Sequence, residues 1–498
     1  MQWNLFPSPL RALASGVLLL TACGDASEAR LALDEESLGA VEAAMCGDLS
    51  VTTLSIMGAS SYRSELASSG EWAVSAPANA VRLEYYLNGA LYSSDERTSS
   101  SGTWYFNTTQ VPCGVSHTLV VKAFPMVIDS AGNRTTCWNT SRSASQSVFE
   151  GCPVVSAGGE HSLAQNEGSA WAWGTNGSGQ LGDGTSTTRL SPAQVPGHTG
   201  FTAVAAGESH SLAVKSDGTA WAWGLNGSGQ LGDTTTTTRL SPVQVSAITG
   251  VSAIAAGGSH SVALLSDGTV WTWGRNAFGQ IGDGTSTHRP KPVHVPGLTG
   301  VIAVAAGHNH SVAVKSDGTV WAWGSNSSGQ LGDGTTTTRL LPLQVVGLSG
   351  VTAIAAGGTH TVVRKGDGTV WAWGSNSSGQ LGDGTTTDRL TPVQVSGLSS
   401  ITQVAAGAVH TAALKSDGTA WAWGSNGYGQ LGDGTTTDRL TPVQVSGLTN
   451  LHSIAVGAKY TLAVRKNVTV WAWGSNFSGQ LGDGTTTFRL TPVMVTGL

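Results

Sequence analysis

Charge is what this sequence most lacks. Asp, Glu, Lys and Arg make up 11% of its 498 residues, against about 25% in ordinary soluble proteins; Ser, Thr, Asn, Gln and Gly stand in their place. The formal net charge is −6 and the Lys and Arg residues form no cluster. That argues against nucleic acid as a partner, whose counterions are displaced only by concentrated positive charge. Long apolar runs are absent after residue 25, so nothing beyond it reads as a membrane span. No cysteine follows Cys152. Two catalytic motifs are missing as well: there is no G-x-x-x-x-G-K-[ST] phosphate loop and no G-x-S-x-G nucleophile elbow.

What is present begins with a processing segment. Arg11 precedes the apolar run Ala12–Leu20, and Leu20-Thr21-Ala22-Cys23 ends it. These four residues resemble the lipobox of bacterial lipoproteins. The resemblance implies a signal peptide over 1–22, lipidation of Cys23, and membrane attachment by the lipid anchor only; plain secretory cleavage is the competing reading. Gly24, not aspartate, follows the cysteine, which by the sorting rules of enteric bacteria favours the outer membrane or cell surface. Residues 23–44 are polar, acidic and poor in aromatics, as a flexible tether would be. Cys46, Cys113, Cys137 and Cys152 then fall in one exported segment, and their even number reads as two disulfides in one small domain. Zinc competes weakly, since no C-x₂-C spacing or matching His pair occurs. All three pairings stay open.

Residues 45–152 carry strand signals. VRLEYYL (81–87), TWYFN (103–107) and HTLVVKAF (117–124) are rich in β-branched and aromatic residues, and Asn88-Gly89, Pro112-Cys113-Gly114 and Ala131-Gly132-Asn133 punctuate them as turns. About seven short strands over such a length predict an antiparallel sandwich. The run CGVSHTLVVKAF…DSAGNRTT resembles the end of bacterial Ig-like modules.

From residue 153 to 498 the chain repeats, seven times, with a period of 50 residues marked by paired tryptophans. The pairs are Trp171/Trp173, Trp221/Trp223, Trp271/Trp273, Trp321/Trp323, Trp371/Trp373, Trp421/Trp423 and Trp471/Trp473. Such a period means a solenoid or a propeller. AVKSDGTVWAWG (313–324) reads as a hairpin turning at Asp-Gly; VIAVAAG (301–307) precedes it and PLQVVGL (342–348) follows a polar loop. Four strands per unit and no amphipathic helix predict a seven-bladed β-propeller, so the whole fold is expected to be all-β. Residues two apart share a strand face, so both tryptophans of a pair face one neighbouring blade while Val320 and Ala322, and their equivalents, face the other. The fourteen tryptophans are therefore read as framework. Asp333 and Arg339 recur together in every unit, Asp183/Arg189 through Asp483/Arg489, as expected of a clamp across each loop.

The run AAGxxHSxAxxxDGxVWAWGxNxxGQLGDG resembles the regulator of chromosome condensation repeat over all of 153–498. That resemblance implies the seven-bladed propeller. It leaves function open: the founding eukaryotic member is a guanine-nucleotide exchange factor for a small nuclear GTPase, others are interaction platforms, and secreted bacterial ones include an inhibitor that binds β-lactamases through loops on one face. A catalytic site needs different residues converging at one place, which near-identical blades do not supply, so no enzyme activity, cofactor or metal is expected. His161, His210, His260, His310, His360 and His410 recur once per unit, with Tyr460 in the seventh; each is read as a structural hydrogen bond to a loop, with His308 and His310 as a lesser candidate metal pair. The last unit carries Val468 where the others have Gly, a position closed to Val at positive φ, so that turn is expected to change shape. Binding is sought where the units differ: Arg275, Phe278, His288, Tyr428, Phe477 and Phe488 are the candidate partner contacts. The reading is a non-catalytic, exported scaffold for a protein partner. A carbohydrate-binding adhesin and a nucleotide exchange factor are the alternatives.

Overall fold

The computed structural model describes Cys46 and residues 49–62, 65–108 and 111–498; the expected signal peptide, Cys23 and the expected tether lie outside the described residues. Two compact units are present. Among the described residues, one comprises those up to Ser60 together with Ala67–Asn107 and Thr118–Ser147, and the other comprises those of Ser61–Leu66, Thr108–His117 and Val148–Leu498.

The first unit is a sandwich of nine strands: β1 (Val51–Leu54), β2 (Gly58–Tyr62), β3 (Glu65–Val74), β4 (Ala80–Leu87), β5 (Ala90–Arg97), β6 (Ser101–Thr108), β7 (Val115–Ile128), β8 (Arg134–Thr136) and β9 (Arg142–Glu150). One sheet runs β1-β3-β2 with β6 on β3, and the other runs β5-β4-β7-β8 with β9 on β7. Alternation buries Leu83 and Tyr85 of β4, Trp104 and Phe106 of β6, and Leu119 and Val121 of β7. Tyr85 and Phe106 stack at 5.4 Å between ring centroids. The Asn88-Gly89 turn forms as read, with φ of 52° and 86°. Cys46 pairs with Cys137 and Cys113 with Cys152. The cysteines do not all serve one small domain: Cys113 and Cys152 both group with the second unit. A sequence-only reading assigns them by proximity along the chain, whereas Thr108–His117, from the end of β6 to the start of β7, belongs with the second unit.

The second unit is seven four-stranded antiparallel sheets, each built from four consecutive strands. The fourth sheet, for example, consists of Val301–Ala306, His310–Lys315, Val320–Gly324 and Arg339–Gln344. The blades stack as the alternation requires. Val312, Val314, Val320 and Ala322 of blade 4 pack against Trp373 of blade 5, with Trp371 beside it. Blade 7 closes on blade 1 in the same way: Val470 and Ala472 pack against Trp173 and Trp171.

The two tryptophans of a pair are not equivalent, which corrects the expectation that both serve the junction alike. The second of each pair, Trp173, Trp223, Trp273, Trp323, Trp373, Trp423 and Trp473, is fully buried. Each is wedged into the neighbouring blade, Trp273 against Leu212 and Val214, Trp423 against Val362 and Val370, and Trp473 against Leu414 and Leu431. The first of each pair, Trp171, Trp221, Trp271, Trp321, Trp371, Trp421 and Trp471, is only half-buried. The cause is position along the strand: the first ring lies nearer the hairpin end, where the blade meets solvent. There Lys315 lies 5.7 Å from the Trp321 ring.

Two hairpins depart from the template. Blade 1 turns in two residues, Glu167 and Gly168, with φ of 50° and 76°, which accounts for its shorter hairpin. Blade 7 does not change its turn, contrary to expectation: Val468 takes φ 59°. The turn's hydrogen bonds survive, with Arg465 N–H to the Thr469 carbonyl at 2.9 Å and Val468 N–H to the Arg465 carbonyl at 3.0 Å. Asn467 replaces the usual aspartate as acceptor of the Thr469 hydroxyl at 2.7 Å. That bond set holds a conformation the side chain disfavours.

Candidate protein-interaction face

Antiparallel order puts the first-to-second and third-to-fourth connections of every blade at one end of the propeller. The A-A-G-x-x-H turns and the long G-x-N-x-x-G-Q-L-G-D-G loops therefore share a face. The loops are built rigidly. Asn326 Oδ1 accepts the Leu331 N–H at 3.0 Å, and its amide donates to Asp333 and to the Thr335 carbonyl. Arg339 Nε donates to Asp333 Oδ2 at 2.8 Å, with Nη2 at 2.7 Å from the same oxygen. Equivalent ion pairs form in all seven blades. Burial pushes the Asp333 carboxyl up, but hydrogen bonds from Thr335, Arg339 and Asn326 outweigh it and hold the pKa below the usual carboxylate value.

The buried tryptophans anchor these loops from beneath. Trp273 Nε1–H donates to the Gln230 carbonyl at 2.9 Å, Trp423 to Gln380 at 2.9 Å and Trp473 to Gln430 at 3.0 Å. The other four make the same bond to the preceding blade. With its ring enclosed and its one donor spent, none of the seven is free to meet a ligand.

The repeated histidines bond across blades rather than to a loop of their own. His161 Nε2 lies 2.9 Å from Ser211 Oγ, whose hydroxyl donates to the Gln180 carbonyl at 2.7 Å. That carbonyl also accepts Trp223 Nε1–H at 2.8 Å. Since Ser211 spends its one proton on Gln180, Nε2 carries the imidazole proton. The other five follow the same scheme, ending with His410 and Thr461. Nδ1 of all six is buried without a hydrogen-bond partner, and burial drives their pKa values down to about 3 or about 4. Tyr460 takes this place in blade 7, donating to the His161 carbonyl at 2.5 Å and accepting the Gly158 N–H at 3.1 Å. His308 and His310 do not converge: His310 is buried on Thr361, whereas His308 is exposed, 3.5 Å from Glu208. No group of metal-binding side chains occurs among the described residues.

At the centre of the loop face lies a cavity of about 500 Å³ walled by the Ala and Gly of the seven turns, with Glu160, Glu208 and His308 as its ionisable lining. A belt of backbone bonds between neighbouring turns surrounds it, including Gly159 N–H to the Gly207 carbonyl at 3.1 Å and Ala458 N–H to the Gly158 carbonyl at 3.0 Å. The candidate contact residues form two patches on opposite sides of the ring. On blade 3 the Arg275 guanidinium lies 5.8 Å from the Phe278 ring centroid. Beside it, His288 Nδ1 accepts the Asn276 N–H at 3.1 Å. Asp388 and Asp438 make the same bond in their blades, so His288 holds its loop while remaining exposed. On blades 6 and 7, Tyr428 meets Phe477 edge-on at 5.6 Å, and Lys459 lies 5.1 Å from Tyr428. Phe477 is 60% exposed and Phe488 39%. Ser478 Oγ–H donates to Glu160 at 2.9 Å, tying this patch to blade 1. Sequence reasoning missed Lys459, Glu160 and Glu208. They sit in the two variable positions before the repeated histidine, a signal as visible as the one that marked Phe477.

A closed ring of seven four-stranded blades, with a rigid framework and one face on which blades differ, defines the molecule as a seven-bladed β-propeller with a variable loop face. The family model of the RCC1-like domain matches residues 93–363 and 252–498; the chain belongs to the RCC1-like family. Among solved structures it is similar to human WBSCR16, at 24% identity and a TM-score of 0.61, covering 67% of this chain and 94% of that one. Yeast RCC1 (Prp20), solved bound to Kap60, gives 23% identity and a TM-score of 0.60 over 66% of this chain and 83% of that one. Prp20p from Saccharomyces cerevisiae, studied for its binding to Gsp1p and histones, gives 23% and 0.60 over 67% and 87%. At these identities the likeness establishes the fold. No curated protein matches the sequence.

Proposed function

We infer that this chain is a non-catalytic scaffold, exported and lipid-anchored at Cys23, that binds a partner protein through the loop face of its propeller. The observation that carries the reading is the pairing of aromatics with cations at positions where the blades depart from an otherwise uniform framework: exposed Phe278 with Arg275, and half-buried Tyr428 with Lys459 beside exposed Phe477. Aromatic and Arg anchors of this kind dominate protein interfaces. The structural neighbours' recorded partners, Kap60, Gsp1p and histones, are proteins, which supports the class of partner and nothing narrower. A carbohydrate adhesin would need the repeated tryptophans as stacking platforms. The second ring of each pair is fully buried, and outer rings such as Trp321 donate Nε1–H to a threonine hydroxyl of their own hairpin.

Fractionation of the source cells tests the compartment, with mature protein in the cytosol rejecting it. Affinity capture with the intact mature chain, repeated with Phe477→Ala/Tyr428→Ala and with Arg275→Ala/Phe278→Ala, tests the face. At least one pair is expected to weaken the identified partner about tenfold or more without moving the melting temperature. Binding unchanged in both variants would reject this face.

A further inference from the structure

We propose that the Cys113–Cys152 disulfide is a clasp across the closing seam of the propeller ring, joining blade 7 to blade 1. Every blade is made of four consecutive strands, so no strand from one end of the repeat array completes a blade at the other. The seam between blades 7 and 1 otherwise rests on side-chain packing and hydrogen bonds. Blade 1 also offers a shorter inner edge for closure: its first strand, Val154–Ala157, has 4 residues where that of blade 2 has 6.

The two cysteines stand on either side of that seam. Cys113 N–H donates to the Lys466 carbonyl at 2.7 Å, in the hairpin of blade 7. The next residue, Gly114, has φ 77°, and a Cβ there would lie 2.9 Å from the His452 ring of the same blade, so the segment lies flush on blade 7. Cys152 comes two residues before Val154, where blade 1 begins. The covalent bond therefore runs from a segment seated on the last blade to the start of the first. Blade 7 is also where the hairpin sequence changes: Lys466-Asn467-Val468 replaces the Ser-Asp-Gly or Gly-Asp-Gly of blades 2 to 6. Its turn keeps its shape because Val468 takes the positive φ that glycine has in the other blades, which keeps the Lys466 carbonyl in place for Cys113.

Hydrogen exchange on the oxidised full chain tests the clasp. In Cys113→Ser/Cys152→Ser, amides of residues 154–166 and 451–465 are expected to exchange at least about tenfold faster, with those of blades 3 to 5 unchanged. Gly114→Ala, whose Cβ at φ 77° would lie 2.9 Å from the His452 ring and 3.3 Å from Cys152 Sγ and so strains the segment without removing either cysteine, is expected to speed the same amides by a smaller factor, and it serves if the double variant does not fold. Cys46→Ser/Cys137→Ser is expected to leave both blades protected. Uniform loosening of all seven blades, or unchanged protection at the seam in the clasp variants, would overturn the proposal.

Discussion

At the scale of single residues, one position is at odds with its surroundings and another is indispensable to them. Val468 is a β-branched residue at φ 59°, held there by turn bonds that require the conformation but not the side chain. A left-handed backbone costs a non-glycine residue roughly 1–2 kcal/mol. Val468→Gly is therefore expected to stabilise the protein by about 1 kcal/mol, somewhat less than the relieved strain because glycine also gains freedom in the unfolded chain; urea unfolding checks it, and a loss of stability would show that Val468 makes contacts worth more than its strain. Trp373 is the opposite case. Its ring is fully buried between blades 4 and 5, and its Nε1–H bonds the Gln330 carbonyl at 2.9 Å. Trp373→Ala is expected to cost about 3–5 kcal/mol. The half-buried Trp371 should cost clearly less on the same measurement; equal losses would contradict the difference in burial.

At the scale of the element, the blade is a sheet plus a clamped loop, and the two parts were not equally legible. The strands could be read from alternation and the hairpins from Asp-Gly, because both signals are local. Alternation could not separate the rings of one pair: it assigns Trp271 and Trp273 the same face, while depth along the strand decides which is enclosed. Asp383 and Arg389 could also be read as a clamp, being six residues apart on one loop. Their geometry, with Nε at 2.8 Å and the aspartate carboxylate largely buried, supports it. A double-mutant cycle on this pair is expected to show coupling of about 1 kcal/mol, limited by the partly exposed arginine; coupling indistinguishable from zero would reduce it to two separate charges. The histidine's partner was not legible. His310 bonds Thr361, which lies fifty-one residues away in the next blade, and no spacing within a single unit points to it. The binding patches were half legible for a related reason. Tyr428 and Phe477 stand out as departures from the template, but their edge-on contact arises only when blades 6 and 7 are placed side by side.

At the scale of the whole molecule, the ring sums what each junction contributes, and its response to pH is the clearest consequence. Six junctions each bury a neutral imidazole whose Nδ1 has no hydrogen-bond partner, so a second proton would be placed in a site that offers it no acceptor. Burial holds these groups at about 3 to about 4, far below the 6.5 of a free histidine. Above 6.5 neither the folded nor the unfolded chain carries those protons, and the stability is complete. Below it the unfolded chain takes them up and the folded one does not, so stability falls as pH drops towards the folded values. Each histidine contributes a slope of up to about 1.4 kcal/mol per pH unit. The seven clamp aspartates, with lowered pKa values, begin to be lost only as pH approaches and passes below their ordinary 3.8, and Tyr460, pushed up by burial, stays neutral throughout. The urea midpoint is therefore expected to decline steeply between pH 6.5 and 5, well before the carboxylates titrate. His310→Gln should lower stability at pH 7.5 yet flatten the slope by about one proton. A midpoint level from pH 7 to 5, or a slope untouched by that substitution, would mean that the buried imidazoles reach solvent and that the junctions open more readily than their packing implies.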